Sequence, residues 1–368
     1  MHFVTDYQKI LEKVHAINPI DYGSTRNNID GAVTHLSPYL THGVISLPLV
    51  RDVVLQKYSV KDAYTFIFEL AWREFFQRTW ENKGDAIFSS LRQSQEGMVH
   101  DKGLPVAYLS NATGIQAIDT ALLELTRDGC VHNHSRMWLA MLVTVIAKTN
   151  WQEGARHLYF HLLDGDRASN TLSWQWVAGT FSSKQYIANQ DMINKFSPVA
   201  QRNSYLDYPV DTLLDRGIPE ELKEHALFEL KLDDALLLKK SISLSAFSKK
   251  EVWLYSLWTL DPVWKPTASV EVAKILFIDR DDLARFPMSK KRLQCIIDLS
   301  QNIEGIQLYY GSLSDITSAL SGKEVYKKHH AGSFHLPGEK SSPEYLFPEV
   351  ADIPNGFMSF WKKCERYL

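Results

Sequence analysis

Three short stretches of this 368-residue sequence set polar side chains inside otherwise apolar runs. In FELAWREF, Glu69 and Arg73 stand four apart and Trp72 three from Glu69, so all can share one helix face. Taken alone, this segment reads as a structural ion pair beside a core tryptophan. In VHNHSRMW, Asn133, Arg136 and Met137 fall at i, i+3 and i+4. An amide and a guanidinium facing one pocket suit an acceptor-rich ligand, and they equally well tie a loop to a helix. In LLDGDRASNTLSWQW, Asp164, Asp166 and Asn170 precede Trp174 and Trp176. Two acids and an amide suggest Ca²⁺, but the spacing lacks the glycine and final glutamate of an EF-hand loop, so no metal is expected. His157 and His161, four apart, lack the intervening acid of a zinc-protease motif and read as helix-face histidines.

The elements that must position these groups are mostly helical. From Met1 to about Tyr205 the pattern is helix almost throughout, with Tyr64 to Trp80, Thr113 to Arg127 and Ser135 to Thr149 as the clearest segments. After Pro198 the text changes, and Pro219-Glu-Glu-Leu opens a stretch expected to be helical to about Lys240. From Glu251 strand-like runs (EVWLYSLW, KILFID, IQLYY) alternate with helix-like ones (289–302, 312–320), the pattern of a small parallel α/β unit. The expected fold is mainly α: a helical domain over 1–205, a helical linker over 206–245 and a smaller C-terminal α/β domain over 246–368. No Gly-x-Gly-x-x-Gly fingerprint or P-loop occurs.

Composition bounds the function. With 45% hydrophobic and 23% charged residues the chain is of ordinary globular type. A formal charge of −3 excludes a molecule that is basic overall, though not a local basic patch. Three scattered cysteines cannot form a disulfide framework or supply four thiolates to a cluster. The longest apolar run, 137–147, is too short for a bilayer, so a soluble, cytoplasmic protein without membrane contact is expected. Ten tryptophans are the unusual count, and they point towards the function.

The ordered set THLSPYLTHGVIS, FELAWREFF, ATGIQAIDTALLEL, HNHSRM, NWQEGARHL and DGDRASNTLSWQW closely resembles the flavin-binding domain of the DNA photolyase and cryptochrome family, from about Tyr22 to Phe196. The resemblance implies a helical bundle around FAD. Tyr22, Thr34, Leu36 and Ser37 would hold its diphosphate and ribityl side. Glu69 and Arg73 would line the cavity, Arg136, Asp164 and Asp166 would contact flavin and adenine, and Asn170 would sit beside flavin N5. Asn133 belongs to both flavin and substrate pockets. It also implies light-driven cleavage of cyclobutane pyrimidine dimers in DNA by an electron from reduced FAD. A buried, protonated Glu69 would bond a pyrimidine carbonyl, and Trp72 and Trp176 would wall the flipped-out dimer. Asn133 and Met137 would complete that pocket. Asn133, where the (6-4) branch has histidine, favours the dimer-splitting type.

Trp174 and Trp151 match the inner members of the family's electron-hopping chain. The outer tryptophan is missing, and Tyr108 is the substitute considered. Arg26 fits a phosphate contact, while His134 replaces an arginine expected to make another. The resemblance leads to the expectation that the family's N-terminal antenna domain is lacking, with the C-terminal α/β part a candidate for a displaced one and no second chromophore assigned. The cluster Lys290, Lys291 and Arg292 reads as a surface helix start, and His329, His330 and His335 as a solvated loop. A DNA-repairing monomer is the leading expectation. A cryptochrome-like blue-light sensor acting through a protein partner is the alternative, favoured by net acidity, His134 and the domain order.

Overall fold

The structure is a computed structural model that describes residues 3–244 and 249–368. The chain divides into two compact units, each assembled from non-consecutive segments. Unit 1 comprises Asp21–Val33 and Lys83–Leu230. Unit 2 comprises Phe3–Ile20, Thr34–Asn82 and Lys231–Leu368.

Unit 1 is helical. Its core helices are Gln116–Asp128, Asn133–Met141, Trp151–His161 and Arg167–Ala178. Each starts or stops on a local signal. Asn150 accepts from the Gln152 amide and Asp166 from the Ser169 amide, while Gly129 and Gly179 close their helices in the left-handed region. The Asn133–Met141 helix runs on into a π-helical turn, Leu142–Ile146, whose residues are all buried. This apolar run replaces the last turn of the helix expected to reach Thr149. Two short strands, β1 (Leu104–Pro105) and β2 (His225–Ala226), pair antiparallel. That pairing interrupts the helical stretch expected from Pro219 to Lys240. Glu220–Leu222 forms a 3₁₀ turn, His225–Ala226 is drawn out to pair with β1, and an α-helix returns only over Ala235–Lys240, where the stretch ends as expected.

Unit 2 joins N-terminal helices to a parallel sheet. Its helices include Tyr7–His15, Leu47–Leu55 and Val60–Lys83, the last of which ends just beyond the unit. The sheet strands are β3 (Glu251–Tyr255), β4 (Val272–Asp279), β5 (Ile306–Gly311), β6 (Glu324–Lys327) and β7 (Glu339–Lys340). All are parallel, in the order β5-β4-β3-β6-β7, so strand order reverses between β3 and β6. Alternating strands and helices from residue 251 onward thus form the small parallel α/β layer anticipated from their pattern.

The consecutive division at 205 and 246 does not match these units, and residue 246 lies outside the described residues. The physical reason is a set of polar ties from the N-terminal helices to the C-terminal part. Glu74, 2% exposed, accepts from the Leu346 amide and, at 3.1 Å, from the Phe347 amide. Arg78 donates to Ala351 O at 3.0 Å, and Glu81 binds His329 at 3.0 Å and the Tyr345 hydroxyl at 2.7 Å. Asn302 accepts from the Tyr7 amide at 2.9 Å and donates to Thr5 O at 2.7 Å. Burying charges of this kind requires partners, and those partners lie more than 200 residues away.

Candidate functional site

The residues singled out by their chemistry are shared between the units. Unit 1 holds Tyr22, Arg26, Asn133, His134, Arg136, Met137, Trp151, Asp164, Asp166, Asn170, Trp174 and Trp176; unit 2 holds Thr34, Leu36, Ser37, Glu69, Trp72 and Arg73.

In unit 1 the centre is an arginine clamped by an aspartate. Arg136 Nη2 donates to both Asp164 oxygens at 2.9 and 2.8 Å, and its Nε donates to Val131 O at 2.9 Å. Asp164 is buried, and about a quarter of the Arg136 side chain is exposed. The guanidinium is therefore fixed by two elements, with an edge left towards the surroundings. Asp166, 1% exposed, caps the Arg167–Ala178 helix through Ser169 N at 2.6 Å. One turn on, Asn170 Nδ2 donates to Ala155 O at 2.9 Å, which fixes its amide plane. Burial, and then the charge of Asp164, push the Cys130 thiol up to about 11.

Asn133 is the exposed first residue of its helix, behind His132, which accepts from the His134 amide. Met137 follows one turn later, and both Met137 and Trp176 pack half-buried against the unit 1 core. Trp176 also lies 5.7 Å from Tyr186. Trp151 and Trp174 share that core. The Trp174 ring fills the space over Gly154, where an added Cβ would stand 2.2 Å from it, and Gly154 is one turn from Trp151. The indole N–H of Trp151 donates to Ser90 Oγ at 3.2 Å. Tyr108 is fully buried, packed edge-on to His157 at 5.4 Å, so it does not provide the solvent-facing end considered for it.

His134 departs from its expected role. Its Nδ1 is bonded to Asn27 O at 2.9 Å, its ring lies 4.9 Å from Trp138 and 4.7 Å from Phe196, and burial lowers its pKa. The ring is neutral at pH 7 and is no cationic substitute for arginine. Arg26 folds one guanidinium nitrogen back onto Gly23 O at 2.9 Å. Tyr22 is half-buried in the same segment.

In unit 2, Thr34 Oγ1 accepts from the Leu36 amide at 3.4 Å, Leu36 is buried, and Ser37 with Pro38 opens the short Ser37–Thr41 helix. Arg73 Nη2 donates to Thr41 Oγ1 at 3.0 Å, tying that helix to Val60–Lys83. Two expectations are corrected here. Glu69 is only half-buried; the carboxyl that burial drives up to about 7 is Glu74, five residues on, despite the Leu346 and Phe347 amides and Arg78 pulling it down. The signal was present in the sequence as Arg78 at i+4 from an acid in an apolar run. Trp72, expected to present an open wall, is stacked on Phe357 with ring centroids 3.6 Å apart and planes 15° apart.

The C-terminal ends of β3 and β6, where open α/β sheets bind ligands, are filled by the chain itself. Trp258 stacks on His330 at 5.6 Å and on His42 at 6.1 Å, with Trp80 edge-on to both Trp258 and His330. Lys328 pairs with Asp261 and Glu344, and the Lys327 ammonium donates to the carbonyls of Ser333, Phe334 and Leu336. His329 and His330 are therefore packed within unit 2 and not in a solvated loop. Arg292 is likewise buried, unlike the surface position expected. Among the described residues no three His, Cys, Asp or Glu side chains are placed to hold a metal ion, and no helix is long and apolar enough to cross a membrane.

Comparison with known proteins bears on the same region. Residues 66–208 match the family model for the FAD binding domain of DNA photolyase. This segment of the chain is thus similar to the FAD binding domain of DNA photolyase. A deoxyribodipyrimidine photo-lyase of Streptomyces griseus is 35% identical over 161 residues, which is 44% of this chain and 35% of that protein. A cryptochrome DASH of Natronomonas pharaonis is 32% identical over 167 residues, 43% of this chain and 35% of that protein. The match spans about a third of the length of these relatives. A solved cryptochrome of Synechocystis sp. PCC6803 superposes with a TM-score of 0.48 at 24% identity, covering 53% of this chain and 44% of that one.

Proposed function

We propose that this chain is a light-driven DNA-repair flavoprotein that splits cyclobutane pyrimidine dimers. The observation that carries the reading is the Arg136–Asp164 clamp with Asp166 and Asn170, inside the segment that matches the FAD-binding domain. The donor set fits the cofactor. A fixed cation, two buried carboxylates and an oriented amide complement a ring edge that alternates N–H and C=O, the guanidinium donating to carbonyls and the carboxylates accepting from N–H groups. Reduced FAD, when bound there, supplies an electron under blue light.

The chain's own residues do the rest. Arg136 and Asp164 hold the flavin edge, and Asn170 contacts it without adding charge. Tyr22, in the same unit, contributes to the remainder of the cofactor site. Asn133 and Met137, with Trp176, hold an extruded pyrimidine pair. Trp151 and Trp174, packed through Gly154, carry electrons towards oxidised flavin. Arg26 contributes a phosphate contact on damaged DNA.

A second reading, a blue-light sensor acting through a protein partner, is favoured by two observations: Trp72 is covered by Phe357, and His134 is uncharged. The test is repair of a thymine-dimer oligonucleotide by chemically reduced, flavin-loaded protein in blue light and in darkness. The repair reading expects light-dependent restoration of thymines, lost at least tenfold in Asn133→Ala. Flavin-loaded protein that restores no thymines in light leaves the sensor reading.

A further inference from the structure

The last helix of the chain, Phe357–Cys364, lies against the Val60–Lys83 helix within unit 2. Its first residue, Phe357, sets its ring parallel to the Trp72 indole at 3.6 Å, the arrangement an unstacked base would take on that surface. The rest of the helix is anchored independently of this stack. Phe360 lies 5.6 Å from Phe75, and Trp361 meets Phe68 edge-on at 5.1 Å. Trp361 Nε1 donates to the Tyr64 hydroxyl at 2.9 Å, which donates in turn to Glu365 at 2.6 Å. Phe357 is itself 4% exposed and also meets Phe68 edge-on at 5.0 Å and Phe75 at 5.8 Å. The residue after it, Met358, is 56% exposed, whereas Phe360, Trp361 and Cys364 are all buried. The irregular segment 351–356 that leads into Phe357 is largely exposed. One aromatic ring therefore sits at the first position of the helix, next to an exposed lead-in segment, on the tryptophan whose type and place suit a base.

We propose that Phe357 is an intramolecular plug: it occupies an aromatic-stacking site floored by Trp72, and an unstacked pyrimidine of a nucleic acid displaces it. This rests on the reading of Trp72 as a wall for a flipped-out pyrimidine. Exchange of a phenyl ring for a base on the same indole face replaces one stack by another, so the ligand must contribute further contacts to win. A distorted dimer, which has little stacking to lose in its own strand, meets that condition better than an intact base.

The experiment uses the full chain as wild type, Phe357→Ala, Trp72→Ala and the double variant. Fluorescence anisotropy reads binding to a labelled oligothymidylate, UV-irradiated or intact, and acrylamide quenching of tryptophan emission reads exposure of Trp72. Phe357→Ala is expected to increase quenching and to bind the irradiated strand about tenfold more tightly than wild type, with the gain removed by adding Trp72→Ala. Equal affinity of wild type and Phe357→Ala for the irradiated strand, with quenching increased, overturns the plug and leaves the reading of Trp72 intact if Trp72→Ala still weakens binding. Exposed Trp72 with no preference for irradiated over intact strand overturns both. Should Phe357→Ala fail to fold, Phe357→Leu fills the space without stacking; the same gain is expected of it, and unchanged affinity overturns the plug.

Discussion

Two buried residues, Glu74 and Gly154, carry consequences that can be measured without light or flavin. Burial raises the folded-state pKa of Glu74 from 4.5 to about 7. Its contribution to stability is therefore full below pH 4.5 and is lost as pH rises through 7, a change of about 3 kcal/mol by linkage. Urea unfolding at pH 5 and pH 8 should show this fall, and Glu74→Gln should flatten it; an unchanged slope in the variant contradicts the assignment. Gly154 is fixed by the Trp174 ring 2.2 Å from its missing Cβ. Gly154→Ala should cost about 1–3 kcal/mol, read by urea denaturation followed through tryptophan emission. Residue types marked Arg136, Asp164 and Asn170 as polar groups in apolar runs, but Arg136 and Asp164 lie 28 residues apart, and only the resemblance of the ordered motifs joined them as one set. Glu69 and Glu74 could not be ranked that way. Their difference in burial comes from segment 346–351, which packs on one face of the helix and not the other.

Among the elements, the helices were legible where apolar periodicity and a cap agreed, as in Arg167–Ala178 behind Asp166. Asp166 has two duties there, holding the helix start and standing beside the clamp. Asp166→Ala should cost about 1 kcal/mol of stability from the lost cap, measured by thermal unfolding, and should lower flavin retention further than Asp166→Asn, which keeps a capping oxygen. Equal flavin loss in both variants would show that charge, not capping geometry, is what matters. The stretch 223–234 was not legible. The proline and acids before it read as a helix start, but pairing of β2 with β1, over 100 residues away, draws the chain out, and helix returns only over Ala235–Lys240. The Phe357–Cys364 helix shows amphipathic spacing in the sequence, yet its partner, the Trp72 face, is visible only in three dimensions.

At the scale of the whole molecule, the order of elements is misleading. A helical first half and an α/β second half are both present, but segments 3–20 and 34–82 group with residues 231–368. Periodicity reports which face of an element is buried and is silent on which distant segment buries it. A fragment ending at residue 205 would leave Glu74, Arg78 and Glu81 without the partners they bond in the C-terminal part. Unpaired buried charges cost roughly 3–5 kcal/mol, so this fragment should be insoluble or unfolded by circular dichroism, and co-expression with 206–368 should rescue it. A soluble, cooperative fragment would contradict the division.

The most direct measurement on the central claim is the flavin content of the chain purified in darkness, by absorption and by FAD released on denaturation. The account predicts about one FAD per chain, with content lowered severalfold in Arg136→Ala and Asp164→Ala while both variants stay folded. A folded wild-type chain that neither retains nor takes up FAD, or one whose FAD is indifferent to both substitutions, would contradict it.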